Sequence, residues 1–527
     1  MTTLLYKKVG IASLIMMSSV LLSRLIGLLR EVIIAYAAGA RGEVDAYQVA
    51  FVLPEILNHV AATGFLSITF IPIFDRYLVK DQEKEGWTVF SRILTFFGVF
   101  LGILILISWI WADALVLLVS PGLRDPAIKA MAVRMTRIVL PAQVFFFAGG
   151  LCMAVQFSKE RFIIPALAPL IYNMGIILGG LVLGPWIGIE GFSWGVLAGA
   201  FVGNLAVQWV GARRVGMKFS LSLDFSHPDL RRYLVLTLPL ILGLTMTFST
   251  EFFFRFFGSY MPRGTIAALN YGLRVMLILV GLFGQAVGTA SYPFMSRLAA
   301  EGRLDEMNRL LNRTLGYLSL VIPFSVLLMV LRHEVILILF QRGRFDAAAT
   351  ELTSHLLPFL LLGAFAFSAQ TVVVRGYYAM QETLFPSVFG TATVFMSIPF
   401  YILGMKGLGA AGVALGVSLS TVLQVIVLYV LWNRRSGNKE CRSVYLLVFK
   451  MTLLSFFLGT ALEYIRRIAF SGIDAGSLTG ALFTSIVFGF LFLISLYLAG
   501  RAMKIKEIHE VLSKPFVKLY DRLRIAF

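Results

Sequence analysis

Long apolar runs alternate with short polar connections along almost the whole chain. Each run is long enough to form a helix of the roughly 20 residues that a bilayer requires. The runs lie near residues 11–38, 46–74, 88–120, 128–157, 162–184, 188–212, 233–258, 267–296, 314–341, 350–379, 384–404, 409–432, 444–465 and 477–500. The pattern therefore predicts an all-α polytopic membrane protein with about 14 transmembrane helices.

The composition agrees with this pattern, because 58% of the 527 residues are hydrophobic and only 14% are charged. A soluble protein carries roughly a quarter charged residues. The two cysteines, Cys152 and Cys441, lie in or near apolar runs and lack the spacing of a metal or redox pair. We therefore expect a membrane protein without a functional disulfide or a metal site.

The positive charges of the chain are concentrated in the connections on one predicted side of the membrane. Counted from a cytoplasmic N-terminus, the cytoplasmic loops hold most of the Lys and Arg, including those of the longest connection, 213–232. Because cytoplasmic loops carry the excess of Lys and Arg, both termini are predicted to lie in the cytoplasm. The net charge of +18 then reflects loop orientation and contact with anionic lipid, and we expect no nucleic-acid partner.

Two halves of the chain repeat the same helix pattern. Pro72, near the end of the second predicted helix, and Pro293, near the end of the eighth, are 221 positions apart. The same separation relates three further pairs, which are Pro165 and Pro386, Gly191 and Gly412, and Gly195 and Gly416. Matches at one offset indicate duplication. Because six helices separate the copies, both have the same orientation, and such repeats permit alternating access by rocking around a central cavity.

The repeat predicts four parts of the chain. An N-lobe spans 1–215 with helices 1 to 6, and a C-lobe spans 216–435 with helices 7 to 12. A further helix pair, 13 and 14, occupies 436–502. The tail, 503–527, mixes lysines with apolar residues at helical spacing, which predicts an amphipathic helix on the cytoplasmic face of the membrane. A partner-binding helix is the alternative.

Charged side chains interrupt the apolar runs at a few positions. Arg24, Arg30 and Glu31 lie in the first predicted helix, and Arg274 lies in the eighth. A charge at the centre of a membrane helix costs about 2.5–3.5 kcal/mol, so it needs a partner or a water-filled space. Glu31 can pair with one arginine of its helix. Because guanidinium groups bind phosphate oxygens through paired hydrogen bonds, arginines in both lobes favour a polyanionic substrate such as a lipid-linked diphosphate.

Other charges within the runs leave two interpretations open. Glu251 and Arg255 are four residues apart on one helix, which predicts an internal ion pair. His59, four residues after Glu55, is either a proton carrier or a hydrogen-bonded histidine at a helix contact. Arg375, near the end of the tenth helix, either lines the cavity or extends toward the lipid headgroups. Gly288 is a candidate bending point or a tight helix contact.

Three segments near the N-terminus resemble a known family. They are "SRLIGLLRE", "VDAYQVAFVLPEIL" and "TGFLSITFIPIF", and they are similar to the opening of the MurJ (MviN) family of bacterial lipid II flippases. That family belongs to the multidrug/oligosaccharidyl-lipid/polysaccharide exporter superfamily. The resemblance implies two six-helix lobes with an extra helix pair that guides the polyprenyl tail. It implies a transporter of the bacterial inner membrane rather than an enzyme, acting as a monomer on a lipid-linked glycan precursor.

The resemblance also assigns roles to individual residues. The cavity arginines of the family match Arg24, Arg30 and Arg274, which would hold the diphosphate and headgroup of lipid II. The aspartate of the second helix matches Asp45. Independently of the resemblance, we expect Glu31 and Asp45 to exchange arginine partners as the lobes close, and Glu251 and Arg255 to form a gating or internal ion pair.

The chain departs from the family in the second helix. Where the family usually carries an arginine pair and a later glutamate, this sequence has Asn58, His59 and Thr63. Asn58 and His59 therefore become candidate substrate-binding residues. The departure leaves open a paralogous flippase for another polyprenyl-diphosphate-linked glycan. A cation or drug antiporter of the same superfamily is a further alternative, but it would need carboxylates in place of clustered arginines.

The driving force follows from the residues of helices 11 and 12. The runs 384–404 and 409–432 contain no Asp, Glu or Asn. A sodium site that uses a carboxylate is therefore not supported there, and no other cofactor is implied. We expect a proton gradient or the membrane potential to drive transport, because an inside-negative potential favours outward movement of an anionic headgroup.

Overall fold

The computed structural model describes residues 2–60, 66–222, 224, 227–469 and 476–511, and all the regular elements in these ranges are helices. The chain forms two compact units. The first contains Met1–Ala267 together with Arg342–Asp346, and the second contains Ala268–Gln341 and Ala347–Phe527. The predicted lobe boundary at 215/216 rests on the sequence repeat, and it stays a prediction.

The first unit contains twelve of the described helices. They are α1 (Thr2–Ala38), α2 (Gly42–Ala50), α3 (Val52–Val60), α4 (Leu66–Val79), α5 (Glu83–Ile110), α6 (Ala112–Val119), α7 (Pro126–Val139), α8 (Ala142–Ser158), α9 (Ile163–Ile187), α10 (Glu190–Gly199), α11 (Val207–Arg214) and α12 (Pro228–Gly258). A π-helical segment, Ala200–Ala206, joins α10 to α11.

The second unit contains the remaining described helices, the first of which begins just before the unit boundary. They are α13 (Thr265–Leu279), α14 (Ala286–Ala300), α15 (Leu304–Leu318), α16 (Val321–Val330), α17 (Arg332–Phe340), α18 (Ala347–Leu361), α19 (Ala364–Ala379), α20 (Leu384–Met396), α21 (Ile398–Leu408), α22 (Ala410–Ser436), α23 (Cys441–Ala469) and α24 (Leu478–Ala502). A π-helical segment, Val280–Gln285, joins α13 to α14.

The prediction of an all-α membrane protein is confirmed. Within the described residues, ten helices are long and apolar enough to cross a membrane, and α18 with α19, bent by 45°, can form an eleventh span. The count of fourteen stays a prediction. The described residues of the predicted second helix, 46–74, belong to α2, α3 and α4, and α2 is separated from α3 at Phe51. Pro54 explains the separation at Phe51, because it has no N–H to donate to the carbonyl of Ala50.

Glycines bring α9 and α10 into backbone contact. A Cβ on Gly179 of α9 would lie 2.4 Å from the Cα of Gly195, and a Cβ on Gly175 would lie 2.5 Å from the Cα of Gly199. In the second unit, a Cβ on Gly412 of α22 would lie 1.8 Å from the carbonyl oxygen of Gly404 on α21. Close packing of membrane helices depends on such small residues. The glycines that repeat in the sequence therefore serve the same kind of helix contact in each unit.

The beginning of the C-terminal tail packs on the second unit. Lys504 turns the chain with a φ of +55°, and Ile508 is fully buried in a cluster with residues of α23 and α24. Tyr317 of α15 donates a hydrogen bond to the carboxylate of Glu510 at 2.5 Å. The rest of the predicted amphipathic tail, 512–527, lies outside the described residues.

The α9–α10 contact predicts a difference between two glycine substitutions. We expect Gly179→Ala to destabilise the protein by about 1–3 kcal/mol, because the added Cβ would meet backbone atoms that cannot move aside alone. Gly102→Ala on α5 is the control, since a Cβ there meets no atom within 4 Å. Thermal unfolding of the purified variants measures the difference, and equal melting temperatures would contradict the contact.

Candidate functional site

The charged end of α1 lies against α9. Arg30 donates from Nη1 to Oδ1 of Asn173 at 3.1 Å and from Nη2 to Oε1 of Glu31 at 2.6 Å. The side chain of Arg30 is 20% exposed and that of Glu31 only 4%. A buried charge is tolerated when it is paired and hydrogen-bonded. Glu31 therefore neutralises Arg30 in this structure, as the sequence analysis proposed for one arginine of this helix.

Asn173 is a site residue that the sequence analysis missed. Its Nδ2 donates to the carbonyl of Pro169, one turn earlier on α9, at 2.9 Å, and lies 3.4 Å from the hydroxyl of Ser23 on α1. These contacts turn Oδ1 toward Arg30. The signal in the sequence was a lone amide within the apolar run of α9.

A second cluster joins α3 to α12 around the guanidinium of Arg255, which is only 2% exposed. Glu55 of α3 accepts from Nη1 at 2.5 Å and from Nη2 at 3.3 Å. Glu251, one turn earlier on α12, accepts from Nη2 at 3.2 Å. The pair predicted from the four-residue spacing is present, but the closer partner comes from another helix. A two-point contact of this kind fixes the plane of the guanidinium.

The two clusters form one electrostatic network within the first unit. The charge of Glu31 acts on Arg255, and the phenol of Tyr172, beside Asn173 on α9, interacts with both Arg30 and Glu55. The network holds two guanidinium groups and three carboxylates. An incoming anion can bind these arginines only by taking the place of carboxylates, so the arrangement suits the exchange of one anionic partner for another.

Asp45 contacts backbone groups in this structure, and its predicted exchange of arginine partners stays a prediction. It is buried on α2 and accepts from the backbone N–H of Gly264 at 2.5 Å and of Ala267 at 2.8 Å. These groups begin α13, where the N–H groups have no partner within the helix and the helix dipole favours a negative charge. Asp45 thus caps α13. It also lines a cavity of about 620 Å³ with Arg124 and Arg263.

The altered positions of the second predicted helix lie on α3 or beyond it. Nδ1 of His59 is 2.5 Å from the carbonyl oxygen of Glu55 on its own helix. Asn58 precedes it and is partly exposed. Thr63 lies outside the described residues.

The remaining predicted arginines are not all in the first unit. Arg24 lies on α1 six residues before Arg30, with its side chain exposed. Arg274 lies on α13 in the second unit and is partly buried. Arg375 lies on α19 in the same unit and is also partly buried.

Residues 34–484 match the sequence model of a family described as lipid II flippase MurJ. A probable lipid II flippase MurJ of Rhizobium meliloti (strain 1021) is 27% identical over 435 residues, which are 79% of each chain. A probable lipid II flippase MurJ of Thermotoga maritima is 25% identical over 493 residues, covering 93% of this chain and 96% of the relative.

Solved structures show the same fold. One described as "Lipid II flippase MurJ, inward closed conformation" superposes with a TM-score of 0.73 at 21% identity, covering 93% of this chain and 99% of that chain. An inward-facing multidrug resistance MATE family transporter of the MOP superfamily gives a TM-score of 0.65 at 15% identity, with 79% and 94% covered.

The geometry around Arg255 predicts unequal effects for its two carboxylates. We expect Glu55→Gln to lower the free energy of unfolding by about 3 kcal/mol, because it removes the two-point partner of a buried charge. Glu251→Gln should cost less than about 1 kcal/mol, because Glu251 is 36% exposed and makes one contact. Chemical unfolding of the purified variants gives both values. A larger loss for Glu251→Gln would contradict the assignment.

Proposed function

The chain belongs to the lipid II flippase MurJ family, and we propose that it carries lipid II from the inner to the outer leaflet of a bacterial cytoplasmic membrane. The observation that supports this function most directly is the paired arginine network of Arg30 and Arg255 in the first unit. Lipid II joins a sugar-peptide headgroup to a polyprenyl tail through a diphosphate. Its anionic part needs cationic partners on the way across the membrane.

Exchange of partners at Arg30 is the central step of the proposal. Before substrate binds, Glu31 neutralises the guanidinium and Asn173 holds its orientation. Phosphate oxygens then take the position of the Glu31 carboxylate on Nη2, because guanidinium–phosphate hydrogen bonds are strong and directional. When the headgroup leaves, Glu31 pairs with Arg30 again. The Arg30 guanidinium therefore has an anionic partner in both states.

Arg24 of the first unit and Arg274 of the second unit are each proposed to contact the headgroup during transport, since they match the cavity arginines of the family. The polyprenyl tail is proposed to lie along α23 and α24. Large aromatic side chains of α23 are exposed on the protein surface, among them Phe449, Phe456 and Phe457. Such a surface suits contact with hydrocarbon, whether from the tail or from bulk lipid.

Transport is proposed to proceed by alternating access of the two repeats, in a monomer with both termini in the cytoplasm. A proton gradient or the membrane potential supplies the driving force, and no sodium site is part of the proposal. The potential contributes about 2.3 kcal/mol per charge per 100 mV for outward movement of an anion. This contribution is of the same order as one hydrogen bond to a charged group, about 1.5–3 kcal/mol.

A second candidate function is translocation of a different polyprenyl-diphosphate-linked glycan. Asn58 and His59 favour this alternative, because they stand where the family usually carries two arginines. Such a change leaves the diphosphate contacts at Arg30 in place and alters the contacts to the sugar or peptide. A cation antiporter is disfavoured, because it would need carboxylates without clustered arginines, whereas here Arg30 and Arg255 occupy the carboxylates of the network.

Complementation tests the proposed function. Depletion of the resident lipid II flippase in a bacterial host, followed by expression of this chain, should restore growth and the appearance of lipid II in the outer leaflet. Arg30→Gln and Arg274→Gln should abolish rescue. Arg297→Gln is the matched control and should rescue, since Arg297 is 82% exposed and pairs with Glu301 on the same helical segment.

The outcomes separate the two candidate functions. Failure of a well-inserted wild-type chain to rescue would overturn the assignment to lipid II. If the wild-type chain also restores export of another lipid-linked glycan in a strain that lacks its flippase, the second candidate replaces the first. Rescue by Arg30→Gln at wild-type level would contradict the role given to Arg30.

A further inference from the structure

Arg375 differs from four other enclosed arginines of the described chain. These four arginines have side chains that are less than a quarter exposed, and each forms an ion pair with a carboxylate. They are Arg30, Arg92, Arg255 and Arg466. Arg375 has no carboxylate within ion-pair distance among the residues that the structure describes, and its Nη1 is fully enclosed without a hydrogen-bond acceptor there. A guanidinium in an apolar helix has high free energy without an anion.

The position of this guanidinium is set by α14. A Cβ on Gly288 would lie 2.4 Å from Nη1 of Arg375, so the glycine provides the space that the guanidinium occupies. Thr371, one turn earlier on α19, directs its hydroxyl to the carbonyls of Ser368 and Gly284 at 2.8 and 3.1 Å. An arginine that only extended toward lipid headgroups would leave its terminal nitrogens in water. Enclosure of Nη1 against Gly288 instead favours a built site.

One phenol lies near this cation, and a second phenol lies near the first. Tyr292 of α14 interacts electrostatically with Arg375, and Tyr378 of α19 interacts with Tyr292. Both tyrosines are partly exposed. An oxyanion at this place could accept hydrogen bonds from the guanidinium and from a phenol. Phosphate oxygens fit this donor set, because each can accept more than one hydrogen bond.

We propose that Arg375, with Tyr292 and Tyr378, binds a phosphate of the polyprenyl diphosphate substrate at a subsite separate from Arg274. This assignment rests on the proposed function. Gly288 follows Arg274 by 14 residues on one helical segment, which corresponds to about 20 Å along its axis. In the proposed topology α19 runs toward the cytoplasm and ends at Ala379. Arg375 is therefore the subsite nearer the cytoplasmic leaflet and receives the diphosphate before the deeper arginine does.

Binding measurements on the full chain in nanodiscs test this subsite. The probes are undecaprenyl diphosphate, undecaprenol and phosphatidylglycerol, and the variants are Arg375→Gln, Arg375→Lys, Gly288→Ala and the control Arg297→Gln. We expect Arg375→Gln to weaken binding of the diphosphate by about tenfold or more, which corresponds to at least one charged hydrogen bond. Arg375→Lys should lose less. Gly288→Ala should weaken binding by displacing the guanidinium. Undecaprenol binding and the control should not change.

The other possible results each overturn either the subsite, its assignment to the substrate, or the proposed function. Unchanged diphosphate binding in Arg375→Gln overturns the subsite, and an equal loss for phosphatidylglycerol overturns its assignment to the substrate. If the wild-type chain binds the diphosphate no better than undecaprenol, the proposed function fails instead. If Arg375→Gln does not fold, the test uses Arg375→Lys and Tyr292→Phe instead. A loss of about threefold or more in both supports the subsite, and wild-type affinity in both overturns it.

Discussion

Neutralisation of buried arginines by carboxylates from the same or a neighbouring helix is the interaction on which the rest of the structure depends. An apolar α1 can hold Arg30 because Glu31 and Asn173 satisfy two of its nitrogens. An apolar α12 can hold Arg255 because Glu55 reaches it from α3. Without these partners, the same helices would carry charges that cost several kcal/mol each in hydrocarbon. The positions of α1, α3, α9 and α12 are therefore tied to the charges they share.

The same constraint explains why such a site is suited to moving an anion. A charge that is always paired can change its partner at small net cost, whereas a charge that must become unpaired cannot. Arg30 can pass from Glu31 to a phosphate and back. Arg375 represents the opposite arrangement, a cation enclosed by Gly288 in a described environment that supplies no carboxylate. Together the two kinds of site would provide Arg375, which can bind the ligand without first losing a carboxylate partner, and arginines such as Arg30, which can release the ligand by pairing with a carboxylate again.

The periodicity of apolar residues predicted the helical membrane fold, because one-dimensional patterns report which residues can face lipid. Contacts within one helix were also predictable, as with Glu251 and Arg255 at a spacing of four. Contacts between helices were not, because they depend on packing that no spacing encodes. The sequence therefore did not predict that Glu55 is the closer partner of Arg255. For the same reason, the sequence did not predict that Asp45 accepts hydrogen bonds from backbone N–H groups at the start of α13.

The central claim is that paired arginines in the membrane bind the diphosphate of lipid II during its translocation. Proteoliposomes that contain the purified chain and lipid II, with a membrane potential or a proton gradient imposed, test it most directly. The measured quantity is the rate at which lipid II on the inner leaflet becomes accessible to an enzyme added outside. The account predicts faster exposure than in empty liposomes, and a rate close to that of empty liposomes for Arg30→Gln. No acceleration by the wild-type chain, or an equal rate for Arg30→Gln, would contradict it.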